Sequence, residues 1–318
     1  MRAFFAGLAL LAAAPSAFAQ SAAIPHAPDG HPDLQGFWVA SFITPMERPD
    51  GFDALIVPPE RVAEAVKKMT PEIGEVVDPE IYLIPFPTNL LEMNGAFRSS
   101  TIIEPADGKL PFTALAQAAI KRYKSAFDNP EERPGAERCV DSLIHPPLQA
   151  ISLFIPIQIV QTPAALVLVT EDIDPGRIVS MNGAPQPDTI RTRSGQSRGH
   201  WDGDTLVIET DHFAVTQPTG IEWRSSALVT EDSRTIERFR ALSPGRLLYQ
   251  FTIEDPSLYK QPWLAEFTLS RTVRPVYEYA CHEGNYGIVG ILTAARMGRQ
   301  EEKSKTPDPA SPAVAPKP

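Results

Sequence analysis

Thr235-Ile-Glu-Arg-Phe-Arg-Ala-Leu-Ser-Pro-Gly-Arg-Leu-Leu-Tyr-Gln-Phe-Thr-Ile-Glu254 decides the fold class. Ser243-Pro-Gly-Arg246 places proline and glycine at the centre of a tight turn, so Thr235–Leu242 and Leu247–Glu254 read as two antiparallel strands. The second run alternates strictly. Leu247, Tyr249, Phe251 and Ile253 fall on one side, and Leu248, Gln250, Thr252 and Glu254 on the other. A period of two with one apolar side describes a sheet that buries one face, as in a sandwich or a barrel.

The pattern extends outward in both directions. Trp263, Ala265, Phe267 and Leu269 repeat it downstream. Upstream, Asp202-Gly203 is a strong two-residue hairpin signal joining Arg198–Trp201 to Thr205–Thr210. Ile157–Thr162 and Leu166–Glu171 are β-branched runs, and Asp174-Pro-Gly-Arg177 turns into Ile178-Val-Ser-Met181. Seven to ten short strands joined by tight turns predict a mainly β fold, an antiparallel barrel-like sheet over residues 157–280. Residues 33–148 have a different texture, irregular and proline-interrupted. Helical spacing covers Pro59–Met69 and Phe112–Ala126, and Arg98–Pro111 reads as a strand, a turn and a proline stop. A C-terminal helix over 284–298, with Ile288, Ile291, Leu292 and Ala295 on one face, is expected to lie against the barrel. The charged, then Pro/Ala/Ser-rich stretch 299–318 predicts a disordered tail. Residues 20–298 thus read as a single β-rich domain.

Location is legible at the start of the chain. Arg2, the apolar run Phe4–Ala14 and the small-residue site Ala17-Phe18-Ala19 have the order of a signal peptide over residues 1–19, cleaved after Ala19. The expected location is the periplasm or the outside of the cell. No run is long enough to span a bilayer, so no membrane insertion is expected. A net charge of −10 without a Lys/Arg cluster argues against nucleic acid as a partner. Thirty-three prolines imply long irregular connections. Nothing in the chain reads out an oligomeric state.

Cys139 and Cys281 are the two cysteines, and in an exported protein they read as a disulfide. Such a bridge ties the N-terminal region to the C-terminal segment, worth ~4 kcal/mol in the chain-entropy picture, less any strain. Two unpaired buried thiols are the alternative. A catalytic thiolate suits the compartment poorly, because an oxidising environment consumes exposed pairs.

Chemistry concentrates in Cys281-His282-Glu283. Glu283 is either a carboxylate at a helix start, with Asn285 as the cap, or a general acid or base partnered by His200 or His282. No metal site is expected, because His145, His200 and His212 lie in unrelated segments without ligand spacing. No nucleotide-binding motif is present, and no cofactor is expected. Gly195-Gln-Ser-Arg-Gly199 has the spelling of a hydrolase elbow, but it runs into a hairpin where the elbow needs a helix, so the serine is not a nucleophile. Arg191, Arg193, Arg198, Arg234, Arg238 and Arg240 form a charged face or, alternatively, an anion-binding group inside the barrel with Glu237 as internal partner. Arg198, Trp201, Glu237, Phe251 and Trp263 are the candidate ligand-binding residues, and Trp263 alternatively packs the core.

Several segments together resemble a family of exported bacterial proteins without an assigned role. They are Pro28-Asp-Gly-His-Pro-Asp-Leu-Gln-Gly-Phe-Trp38, Ile103-Glu-Pro-Ala-Asp-Gly108, Glu137-Arg-Cys139, Ile159-Val-Gln-Thr-Pro163, Trp201-Asp-Gly-Asp-Thr-Leu-Val207, Glu237-Arg-Phe239, Thr252-Ile-Glu-Asp-Pro256 and Tyr279-Ala-Cys-His-Glu-Gly-Asn-Tyr286. The resemblance implies export and a whole-chain architecture, and it implies no reaction. Some relatives carry a His-Ser-Glu before the Glu-Arg-Phe strand, whereas this chain has Arg224-Ser-Ser-Ala-Leu228 there. Gly36-Phe37-Trp38 also resembles the opening of lipocalin-like (calycin-like) barrels and tilts the choice from sandwich to barrel. Three functions follow as expectations. One is a barrel binding a small, partly apolar molecule, with acid–base lyase or isomerase chemistry if it is an enzyme. The second is a noncatalytic periplasmic carrier, and the third a cell-envelope interaction protein.

Overall fold

The computed structural model describes residues 23–70, 87–125, 129–130, 133, 138–139, 146–148, 155–171, 176–183, 187–214 and 227–305. The predicted leader 1–19 with its expected cleavage site, the turn residues 174 and 175, His145 and the predicted tail from 306 lie outside them.

The chain first forms β1 (Gly36–Val39), the short pair β2 (Glu92–Met93) and β3 (Ala96–Phe97), and β4 (Ile102–Glu104), the strand expected within Arg98–Pro111. The strands predicted from residue 157 onward are present as β5 (Ile157–Gln161), β6 (Ala165–Thr170), β7 (Gly176–Met181), β8 (Gln196–Asp202), β9 (Thr205–Asp211), β10 (Arg234–Ser243), β11 (Arg246–Glu254) and β12 (Trp263–Thr272). The main sheet runs β1-β5-β6-β7-β8-β9-β10-β11-β12, and β1 pairs with both β5 and β12, closing nine strands into a barrel. Closure removes the open edges that a sheet of this size would otherwise expose.

One pairing departs from the expected antiparallel order. β7 and β8 are parallel, with Val179 opposite Ser197 and Met181 opposite Gly199. The connection 182–195 is long enough to carry the chain back across the barrel, which a tight turn cannot do. Gly199 is required at this seam. A Cβ there would lie 2.8 Å from Met181 Sδ and 2.9 Å from Val179 Cγ1.

The hairpin between β8 and β9 is displaced by one residue from the Asp202-Gly203 reading. Asp202 still pairs with Thr205, so Gly203 and Asp204 form the loop. Gly203 has φ +57°, at the first of the two loop positions, where glycine carries no Cβ penalty.

Alternation sorts the side chains as the sequence implies. Phe239, Leu247, Tyr249, Phe251, Ile253, Trp263, Ala265, Phe267 and Leu269 are buried in one core with Leu206, Ile208, Leu166, Leu168 and Val179. Tyr249 is ringed by Phe239, Phe251 and Phe267 at centroid distances of 4.8, 5.7 and 5.0 Å. Such contacts add to the burial of the rings themselves.

Two helices occur where helical spacing placed them, α1 (Val62–Met69) and α2 (Ala114–Ser125). Part of the irregular region packs against the outer side of β12. β4 pairs with β12 at Leu264 and Ala265, ahead of the place where β1 takes over at Ser270–Thr272. Arg98 pairs with Glu266 at 3.1 Å, and the Glu266 amide donates to the Thr101 carbonyl at 2.9 Å. Glu266 and Thr268 are thereby buried although they point away from the lumen. The irregular region carries its own small core of Ile43, Phe52, Val57, Ala65, Met69 and Leu90.

Cys139 and Cys281 form a disulfide with a Cα–Cα distance of 5.8 Å. It joins the irregular region to a short 3₁₀ turn, His282–Gly284, that leads into α3 (Gly287–Lys305). Leu292 is buried, and Ile288, Ile291 and Ala295 are half-buried, so the predicted face of α3 is its inner face. The helix passes the expected end at 298 and continues to Lys305. Arg299-Gln-Glu-Glu-Lys-Ser-Lys305 holds good helix formers, and the first proline comes only at Pro307.

Candidate functional site

The barrel has two unlike ends and a filled middle. At mid-height an ion pair lies wholly inside. Arg177 Nη1 donates to Glu237 Oε1 at 3.3 Å, and Nη2 donates to Oε2 at 2.5 Å. Glu237 also accepts from the Tyr249 hydroxyl at 2.7 Å, and that hydroxyl accepts the Leu148 amide at 2.8 Å. Both charged side chains are at most 3% exposed, a burial that needs a partner for each charge. Burial first, then the Glu237 charge, pushes the Tyr249 phenol well above its ordinary value, so it remains a neutral donor.

At one end the interior is covered. Tyr259 donates its hydroxyl to the Leu228 carbonyl at 2.9 Å and accepts the Leu228 amide at 2.7 Å. Its ring packs on Trp263 and stacks with Phe112. Beside it Asp255 accepts hydroxyls from Thr230, Ser233 and Ser257, each at 2.6 Å. Burial pushes the Asp255 carboxyl up, but those donors outweigh it and hold the group below the ordinary carboxylate range.

The other end is defined by the β8–β9 and β10–β11 turns. Here Trp201, Met181 and Ala241 are only half-buried against the core. Residues 25–34 form a strap over this end. Inside the strap, the Ala27 amide bonds to the His31 carbonyl at 2.8 Å and the Asp33 amide to the Pro25 carbonyl at 2.8 Å. His31 stacks on Trp201 with centroids 4.6 Å apart and planes 4° from parallel. Gln161, at the end of β5, accepts the Leu34 amide at 2.9 Å and donates to the Pro32 carbonyl at 3.2 Å. Leu34, fully buried, anchors the strap where it enters β1.

The sequence-predicted residues do not converge on one site. Glu237, Phe251 and Trp263 are interior, each no more than 1% exposed. Trp201 stands at the strapped end. Arg198 and His200 lie on the outer face of β8, because Ser197, Gly199 and Trp201 take its inward positions. The expectation that Arg198 and His200 line the concave face is therefore corrected by the phase of a single strand. Arg198 instead grips Asp211 through two hydrogen bonds of 3.1 and 2.6 Å. His282 and Glu283 are exposed in the 3₁₀ turn, and among the described residues their side chains make no hydrogen bond or ion pair. The Asn285 side-chain amide donates to Cys139 Sγ at 3.2 Å. Ser197 of the elbow-like spelling is buried and shares a hydrogen bond with Thr210 at 2.8 Å.

Of the arginines considered as internal anion binders, Arg198, Arg234, Arg238 and Arg240 occupy outward positions on their strands. Arg234 meets Glu209 at 2.7 Å and Glu254 at 3.4 Å. The partner of Glu237 is Arg177, which the sequence reading passed over. Ile178 and Val179 are both apolar, so the phase of β7 was ambiguous. Ile178 proves to be 68% exposed, which turns Arg177 inward with Val179.

A second missed cluster lies outside the barrel. His212, at φ +58°, sets Nδ1 2.5 Å from Asp211 and Nε2 3.0 Å from Asp188. Burial pushes Asp211 up, and Arg198 and His212 more than compensate, holding it low. Adjacent Asp211-His212 was the available signal. Among the described residues no group of three or more His, Cys, Asp or Glu is arranged to hold a metal ion, and no helix is long and apolar enough to cross a membrane. Comparison with family models, curated proteins and solved structures returned no match.

Proposed function

We propose that the protein is an exported carrier that binds a small, partly apolar molecule at the strapped end of the barrel, without catalysis. The half-buried cluster of Trp201, Met181 and Ala241 beneath the His31 strap carries this reading. Apolar side chains left half-covered at one end of a closed barrel, with polar groups at the rim, are the usual lining of a small-molecule site. The opposite end is covered and the middle is packed ring against ring, so the ligand lies under the strap and not deep in the lumen. Export is supported by the leader-like residues 1–19 and by the disulfide. The resemblance to exported bacterial proteins agrees with it.

The noncatalytic reading is favoured over lyase or isomerase chemistry by the scatter of its acid–base candidates. His200 faces outward on β8, while His282 and Glu283 are exposed beside the disulfide. General acid–base catalysis requires groups within hydrogen-bond reach of one reacting molecule.

The test uses mature protein with anilinonaphthalene sulfonate as a fluorescent probe, beside time-resolved mass spectrometry of protein incubated in host extract. Probe binding that weakens about tenfold in Trp201→Ala and is unchanged in Glu283→Gln is expected, with any captured compound recovered intact. A compound converted by wild type but not by Glu283→Gln or His200→Ala makes the protein an enzyme and overturns the carrier reading.

A further inference from the structure

Arg271 is an exposed cation held in one place at the strapped end. On β12 it is in phase with the inward residues Leu269 and Phe267, two positions beyond the last of them, which sets it at the rim. Its Nε donates to the Pro244 carbonyl at 2.9 Å. Its guanidinium lies 4.5 Å over the Trp38 ring. Gly36 makes room for it, because a Cβ there would lie 2.5 Å from Arg271 Nη1. Gly36 has φ +124°, a conformation closed to other residues without strain.

Among the described residues no carboxylate pairs with Arg271. Three other arginines of the barrel strands are paired with carboxylates, whereas Arg246 is held by the Glu92 carbonyl and the Thr268 hydroxyl. Arg177 and Glu237 neutralise each other inside, Arg198 has Asp211, and Arg234 has Glu209 and Glu254. A fixed, unpaired guanidinium fork is suited to a planar carboxylate, which it can meet with two parallel hydrogen bonds. The interior offers an anion nothing, since Glu237 already occupies Arg177. A charged head therefore stays at the rim. The strap enters β1 at Gly36, beside Arg271, and ends on Trp201 across the mouth. A molecule under the strap thus meets a cation on one side and apolar surface on the other.

We infer that the ligand class is an amphiphilic carboxylate, with its head on Arg271 and its apolar tail against Trp201 and Met181 beneath the strap. This rests on the carrier reading and sharpens it.

Decanoate and decanol share a tail and differ in charge, so their affinities for the mature protein, measured by displacement of the fluorescent probe, separate head from tail. Decanoate is expected to bind at least tenfold more tightly than decanol at low salt, and the preference is expected to fall as salt rises. Arg271→Gln should bring the ratio near one. Arg271→Lys should recover only part of it, because an ammonium lacks the fork. Equal binding of the two probes by wild type, or a decanoate preference that survives Arg271→Gln, overturns the carboxylate assignment and leaves the carrier reading standing. Failure of both probes to bind overturns the two together. Arg271 is exposed, so the variants are expected to fold, and an unchanged urea midpoint verifies it.

Discussion

The two ends of the barrel are built from the same strands and differ in how their last side chains are satisfied. At the covered end Trp263 and Tyr259 are at most 2% exposed, and the Tyr259 hydroxyl closes both backbone groups of Leu228. Asp255 there is saturated with donors. At the strapped end Trp201 is half-buried, its ring is matched by one histidine, and the covering segment is tied down by the Gln161 and Trp38 side chains and by buried Leu34. A densely packed end contributes stability, and an end held by fewer contacts opens at lower cost. The comparison assigns stability to one end and binding to the other.

The largest expected effect tests that division directly. Trp263→Ala should lower the unfolding free energy by about 3–5 kcal/mol, as for a fully buried aromatic, while Trp201→Ala should cost about 1.5 kcal/mol. Urea denaturation of the two variants measures both, and equal losses would erase the distinction. Tyr259→Phe is the next step down. It leaves the buried Leu228 amide without its acceptor and should cost about 1–2 kcal/mol. His31→Ala, at the other end, should leave the urea midpoint nearly unchanged. Its effect should be faster hydrogen exchange at the Leu34 amide, with the Leu228 amide unaffected. Acceleration at both ends would mean that the barrel opens as one unit.

The smallest effect concerns acid. Asp255 has a carboxyl held low in the folded protein, so its contribution is present above the ordinary carboxylate range and disappears as pH falls through that lowered folded value. Protection at the covered end should therefore decline first below pH about 4, and Asp255→Asn should remove that part of the acid sensitivity. Hydrogen exchange along a pH series reads it out. A pH-independent difference between the variant and wild type would remove Asp255 as the source.

Most of the barrel was legible because alternation is a local property. Leu247 through Ile253 and Trp263 through Leu269 announce their inward faces without knowledge of their neighbours. The closing strand was not, since nothing within Gly36-Phe37-Trp38-Val39 says that it must pair on both sides. Local pattern also failed where two apolar residues adjoin. Ile178-Val179 hid the phase of β7, and with it Arg177. The site was legible in residue type more than in place. Trp201 was recognised, yet Arg271 was not, because its distinction lies in Pro244, Trp38 and Gly36, which come together only in the closed barrel. Arg198 and His200 suit a site by residue type, but the phase of β8 carries them outward.

Closure by β1 has a consequence for the history of the chain. β1 leaves the ribosome among the first residues and β12 among the last, yet each completes the other. Until Arg271 and its neighbours emerge, the sheet has two raw margins, and β1 and β4 have no β12 to pair with. Contacts so distant in sequence form slowly. The chain meets its own beginning only after its end has been made, so the barrel closes in one late event, and Cys139 and Cys281 are joined across 142 residues of sequence.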